Sequence, residues 1–131
     1  GTLADTSARP DASILSYPVI SSGSFGHQGS FDNLLGKESD SAQREALSWE
    51  KHAHPKSPPT FLWHTAEDAA VPVENSYLMA MALQQNQTPH ELHVFPKGEH
   101  GLGLCSIDFR RNAGAAQWRA LAKRWLLELG F

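Results

Sequence analysis

Apolar positions fall into short runs cut by proline, glycine and serine, and the runs alternate in character along the chain. Ala12-Ser13-Ile14-Leu15-Ser16-Tyr17 follows Arg9-Pro10-Asp11 and ends at Pro18, short enough to predict a strand near 12–17. From Ile20 to Phe31 serine, glycine, histidine and glutamine dominate, a mix that predicts a long loop because glycine accepts unusual dihedrals and serine bonds its own backbone. Ser41 to Lys51 suits a short helix that His54-Pro55 and Ser57-Pro58-Pro59 would stop. Thr60-Phe61-Leu62-Trp63-His64 reads as a second, buried strand near 60–64. Pro72 then stands at a helix start, and Val73, Tyr77, Leu78, Met81 and Ala82 fit one face of a helix from Val73 to Asn86.

Leu92, Val94 and Phe95 mark a third strand near 90–95, and Trp118, Leu121, Ala122, Trp125 and Leu129 form one stripe of a terminal helix. Strand and helix therefore alternate, which predicts an α/β fold of about three parallel strands with helices on the sheet faces, since parallel neighbours need crossovers. Trp49 and Trp63 are expected in the core, and Trp118 and Trp125 against the sheet. No internal repeat is evident.

A chain of 131 residues, 40% hydrophobic and 19% charged, suits a single soluble domain spanning 1–131. A net charge of −3 with only 11 Lys+Arg and no basic run gives little attraction for phosphate backbones, so nucleic acid is not expected as a partner. No apolar run approaches the roughly 18–20 residues of a membrane span, so no membrane partner is expected. Cys105 stands alone; near an apolar leucine it is expected to be inert and says nothing about compartment. The start at Gly1, without Met, charged leader or apolar signal core, is expected to come from cleavage or cloning, and a signal preceding Gly1 would leave localisation unknown.

Candidate chemistry sits where open α/β sheets gather it, on loops beyond the carboxyl ends of strands. The second strand leads into His64-Thr65-Ala66-Glu67-Asp68-Ala69-Ala70-Val71-Pro72, and the third into Pro96-Lys97-Gly98-Glu99-His100-Gly101. One loop offers carboxylates and the other an imidazole. Neighbouring parallel strands lie about 5 Å apart, so these loops can bring an acid and a histidine into hydrogen-bond reach. In such a pair the carboxylate fixes the imidazole tautomer while the other ring nitrogen takes a proton from a nucleophile. By position alone Asp68 could equally be a helix-entry acid, and His100 a loop histidine bonded to backbone carbonyls.

The segment Pro58-Pro59-Thr60 through Asp68-Ala69-Ala70-Val71-Pro72-Val73 resembles the acid-bearing segment of α/β-hydrolases. Arg9-Pro10-Asp11 through Tyr17-Pro18-Val19-Ile20, Gly26-His27-Gln28-Gly29-Ser30 through Asn33-Leu34-Leu35-Gly36, and Phe95-Pro96-Lys97-Gly98-Glu99-His100-Gly101 resemble the branch with carbohydrate acetylesterases and xylan-deacetylating enzymes. The resemblance implies a partial α/β-hydrolase fold, with Asp68 of the Asp-x-x-Val-Pro pattern as triad acid and His100 of Gly-x-His-Gly as triad base. Glu67 is the weaker candidate acid.

The family places its serine in an earlier Gly-x-Ser-x-Gly turn, and no such pattern occurs in this sequence. Gly23-Ser24-Phe25-Gly26 has the wrong spacing and position, which makes Ser24 a poor nucleophile. Gly1-Thr2-Leu3 resembles the end of the helix that follows the serine. The expectation is thus the C-terminal part of a hydrolase domain, without the nucleophile-bearing N-terminal half and its oxyanion hole.

Catalysis would then be serine-type hydrolysis of carboxylic esters, acetyl or short-acyl and plausibly on carbohydrates. A degenerate, non-catalytic fragment and a serine peptidase parent are the alternatives. No cofactor is implied. His52-Ala53-His54 falls short of the three or four ligands that zinc requires, so no metal is expected. His27, with Gln28 and Ser30, is a candidate substrate contact, against the plainer reading of a solvated loop. The strand around Ile14-Leu15 is expected to expose its edge, inviting the N-terminal half or a second copy.

Overall fold

The computed structural model describes residues 7–106 and 112–131. Three parallel strands, β1 (Ser13–Ser16), β2 (Thr60–Thr65) and β3 (His90–Phe95), form one sheet in the order β1-β2-β3. Ile14 sits opposite Phe61, and Leu62 opposite Leu92, so the carboxyl ends of the strands come out on one side. Among the described residues the helices are α1 (Gln28–Leu35), α2 (Ser41–Glu45), α3 (Glu74–Gln85) and α4 (Trp118–Glu128), with 3-10 turns at Trp49–Lys51 and Ala115–Gln117. This is the expected α/β layering. The reading of Gly1-Thr2-Leu3 as a helix end lies outside the described residues.

All six residues of β2 are buried, as a central strand covered on both faces requires. Side chains alternate across it. Phe61 and Trp63 face α4, with Phe61 5.7 Å from Trp125 between ring centroids and Trp63 stacked at 5.1 Å on Trp118. His64, of opposite parity, faces α3, where the Ser76 hydroxyl donates to its Nδ1 at 2.8 Å. One core cluster combines Phe61, Trp63, Cys105, Ala115, Ala116, Ala122 and Trp125. Trp118, Leu121, Ala122 and Trp125 therefore face inward as their spacing predicts, while Leu129 is exposed.

Four details depart from the sequence reading. The loop expected from Ile20 to Phe31 gives way to helix α1 at Gln28, because His27 caps it: the Ser30 N–H donates to His27 Nδ1 at 3.2 Å. The single helix expected over Ser41–Lys51 is two pieces. α2 starts from a capping box between Asp40 and Gln43, and the chain restarts as a 3-10 turn where the Trp49 N–H donates to Ile20 O at 3.0 Å.

Trp49, expected in the core, is 55% exposed. The inward face of α3 is not the apolar stripe: Asn75, Ser76, Ala80, Ala82 and Leu83 are buried, whereas Tyr77 and Met81 are exposed. Polar Asn75 and Ser76 go inside because each has partners there. Asn75 Oδ1 accepts from Ile20 N–H and Ser21 N–H, and its Nδ2 donates to Phe25 O and Pro72 O.

Candidate active site

The loops leaving β2 and β3 stay together at their start, since the Ala66 N–H donates to Phe95 O at 2.8 Å. Beyond that point the β2 loop turns on Asp68. Its Oδ1 accepts the N–H groups of Ala70 at 3.0 Å and Val71 at 2.9 Å, folding the carboxylate over its own backbone. The β3 loop returns through Gly98 (φ 140°) and Gly101 (φ 83°), conformations that a side chain would strain. The result brings His100 Nδ1 to 2.7 Å from Asp68 Oδ2.

The Asp68 side chain is fully buried and that of His100 is 36% exposed. One partner is thus sealed from water and the other opens onto the surface. Burial alone would raise the Asp68 pKa, but the Val71 N–H, His100 and the Ala70 N–H outweigh it and hold the carboxyl below its ordinary value. The acid is therefore anionic at neutral pH. An anionic acceptor fixes the imidazole with its proton on Nδ1, leaving Nε2 as a base. Glu67, one residue earlier, is exposed and Asp68 takes the inward place.

His64 also reaches the acid, and the sequence reading gave it no role. It is 0% exposed, donates from Nε2 to Val71 O at 3.0 Å, and lies with that nitrogen 3.2 Å from Asp68 Oδ2. Burial lowers its pKa, so it stays neutral despite the carboxylate. The available signal was its i,i+4 spacing to Asp68. Asn75 and Tyr17 were missed as well. Tyr17 packs edge-on to His100 with centroids 4.8 Å apart, which nothing in the sequence order signals.

The remaining histidine candidates are bonded locally rather than to this pair. His27 Nδ1 faces Ser30 Oγ at 2.9 Å and is occupied in capping α1. Ser24 is exposed in the loop after β1. His52 Nε2 faces Ala46 O at 2.8 Å, and His54 Nδ1 accepts from the Lys56 N–H at 3.1 Å. Among the described residues no group of three or more His, Cys, Asp or Glu is placed to hold a metal ion. No helix among them is long and apolar enough to cross a membrane. Cys105 is buried, and burial pushes its thiol pKa up.

A parallel sheet carrying an acid after one strand and a histidine after the next has the α/β-hydrolase arrangement. The chain belongs to the prolyl oligopeptidase family, whose profile matches residues 15–127. It is similar to an acetyl ester-xyloside bifunctional hydrolase from Caldicellulosiruptor lactoaceticus, at 47% identity and a TM-score of 0.86, covering 94% of this chain and 44% of that one. A carboxylesterase from Lactobacillus plantarum matches at 32% identity and a TM-score of 0.70, covering 92% of this chain and 45% of that one. An endo-1,4-beta-xylanase B from Butyrivibrio fibrisolvens is 46% identical over 106 residues, which are 81% of this chain and 17% of that protein. The chain thus spans less than half of each of these relatives.

Proposed function

We propose that this chain supplies the acid and the base of a serine-type hydrolase of carboxylic esters, with acetyl or short-acyl esters on carbohydrates as substrates. The contact of 2.7 Å between Asp68 Oδ2 and His100 Nδ1 carries the proposal. With Nδ1–H held by the carboxylate, His100 Nε2 takes the proton of an attacking hydroxyl and returns it to the leaving alcohol, while Asp68 stays ionised and balances the imidazolium. The ester reading is supported by relatives named as an acetyl ester-xyloside hydrolase and a carboxylesterase. The sugar reading is supported by the same hydrolase and by the xylanase relative. His27, on the loop leaving β1, is a proposed substrate contact. Peptide hydrolysis is the second reading, favoured by the match to the prolyl oligopeptidase family.

The nucleophile and oxyanion hole come, in this reading, from a half that precedes these residues in the hydrolase domain. That half, or a second copy, would pair with β1. Ile14 on this edge strand is 40% exposed, and a cavity of about 610 Å³ beside it is lined by Leu15, Pro18, Ile20, Trp49 and Met79 among others. The test is hydrolysis of p-nitrophenyl acetate, acetylated xylo-oligosaccharides and a chromogenic peptide, by the chain alone and with a nucleophile-bearing half. The chain alone should be silent, and the completed enzyme should deacetylate the sugar. Turnover by the chain alone, lost on Asp68→Ala or His100→Ala, would place the nucleophile within it; peptide cleavage without esterase activity would replace the ester reading. Light scattering should show self-association of the chain alone, and a monodisperse monomer that binds no apolar dye would count against the exposed edge.

A further inference from the structure

Tyr17 closes β1 with φ at 39°, in the left-handed region, although it is bulky and directly precedes Pro18. A side chain of this size adopts that region only where its surroundings over-determine it, and such strain tends to gather at functional sites. Four contacts hold it. Its N–H donates to Trp63 O at 2.8 Å, which ties the turn to β2. Its ring meets Trp63 edge-on at 5.0 Å and His100 edge-on at 4.8 Å. Its hydroxyl accepts the Gly103 N–H at 3.1 Å, a bond across 86 positions of the chain.

His100 needs such a support. Asp68 grips only one ring nitrogen, the side chain is 36% exposed, and the loop beyond it passes through left-handed Gly101 and Gly103. A single hydrogen bond to the carboxylate leaves the imidazole a rotation away from it. A rigid aromatic ring against it, anchored at its far end to the same loop, removes that freedom.

We propose that Tyr17 is a positioning residue: its strained backbone aims the ring at His100, and its hydroxyl locks the loop at Gly103, so that Nδ1 stays on Asp68. The proposal rests on the acid–base reading of Asp68 and His100, and it predicts more than packing against Trp63. A packing tyrosine would affect stability and leave the state of His100 alone.

The decisive measurement is the tautomer of neutral His100 in the protein, read by long-range ¹⁵N–¹H NMR correlations. The parent should hold the Nδ1–H form. Tyr17→Leu, which keeps an apolar side chain, should let the Nε2–H form appear and broaden the ring resonances, with Tyr17→Phe between the two. Tyr17→Leu with lower stability but an unchanged tautomer overturns the proposal. If Tyr17→Leu does not fold, Tyr17→Phe decides alone: a gain of the Nε2–H form supports the hydroxyl lock, and an unchanged tautomer overturns it. Asp68→Asn separates the two levels. A tautomer unmoved by Asp68→Asn defeats the acid–base reading itself, whereas one that moves with Asp68→Asn and not with Tyr17 defeats only the role of Tyr17.

Discussion

His64 Nε2 lies 3.2 Å from Asp68 Oδ2, the same oxygen that His100 Nδ1 meets at 2.7 Å, and the side chains of His64 and Asp68 are both fully buried. The acid is therefore braced from beneath by a second imidazole. Ser76 on α3 donates to the far nitrogen of that imidazole, which joins helix, strand and the loop that carries Asp68 in one line. Replacing His64 by leucine, close to it in volume, would strip the Ser76 hydroxyl and Val71 O of their partner. Two buried polar groups left this way cost about 2–4 kcal/mol. Urea unfolding of His64→Leu should show that loss as a lower midpoint at unchanged slope.

The same histidine sets part of the pH response. Its folded pKa is lowered from 6.5 by burial, so between the folded pKa and 6.5 the unfolded chain binds more protons than the folded one. Stability from this group is full above 6.5 and is lost as pH falls through the folded pKa. Asp68 has the same sign: its pKa is lowered from 3.8, so its contribution is present above that value and is lost at more acid pH. Unfolding free energy followed against pH should fall in two stages. His64→Leu should remove the first, below 6.5, and keep the second.

Gly98 sits in β3's outgoing loop with φ at 140°, and a Cβ there would come within 2.9 Å of the Thr65 methyl and 2.7 Å of Leu102 Cδ1. Leu102 can move, but Thr65 is fixed in β2 and donates to Gly98 O at 2.8 Å. Gly98→Ala should therefore destabilise by about 1–3 kcal/mol through strain and displacement. Because His100 is two residues on, its ring NMR resonances should shift, while those of His52 and His54 stay in place.

The strands were legible because apolar runs bounded by Pro and Gly leave few alternatives: β3 has the expected bounds and β2 extends one residue further, to Thr65. The meeting of Asp68 and His100 was legible because each stands on the loop that follows one of two neighbouring parallel strands. What supports them was not. Asn75 and Ser76 are polar residues on the buried side of α3, where periodicity looks for Leu and Val, and their reason for being inside is a set of bonds to distant backbone. Tyr17 reads as the end of an apolar run, since a left-handed backbone angle leaves no trace in composition. Trp49 illustrates the converse, a large apolar residue assigned inward on its chemistry alone and found exposed.

The side chain of Asn75 organises the loop that leaves β1. It is 0% exposed and uses both ends of its amide, taking N–H groups from Ile20 and Ser21 and donating to Phe25 O and Pro72 O. Asn75→Ala strands the Ile20 and Ser21 N–H groups and Phe25 O, while Pro72 O keeps the backbone N–H of residue 75, and should cost about 2–4 kcal/mol. Hydrogen exchange should localise the damage, with Ile20 and Ser21 amides losing protection while the β2 and β3 amides keep theirs.

Exchanging the acid of the proposed pair for an amide reverses the polarity that the imidazole meets. Asparagine at position 68 is close to aspartate in shape, and its oxygen and nitrogen can occupy the sites that Oδ1 and Oδ2 hold now. The Val71 and Ala70 N–H groups favour an oxygen at the first site, which leaves the amide nitrogen facing His100. A donor there selects the imidazole tautomer with its proton on Nε2, and the ring can no longer accept a proton from a hydroxyl. In the enzyme completed by its nucleophile-bearing half, Asp68→Asn should lower kcat by about 10⁴-fold with the fold intact. KM should change far less, since the carboxylate is buried beneath the histidine. A loss confined to KM would mean that residue 68 shapes the substrate site rather than the proton transfer.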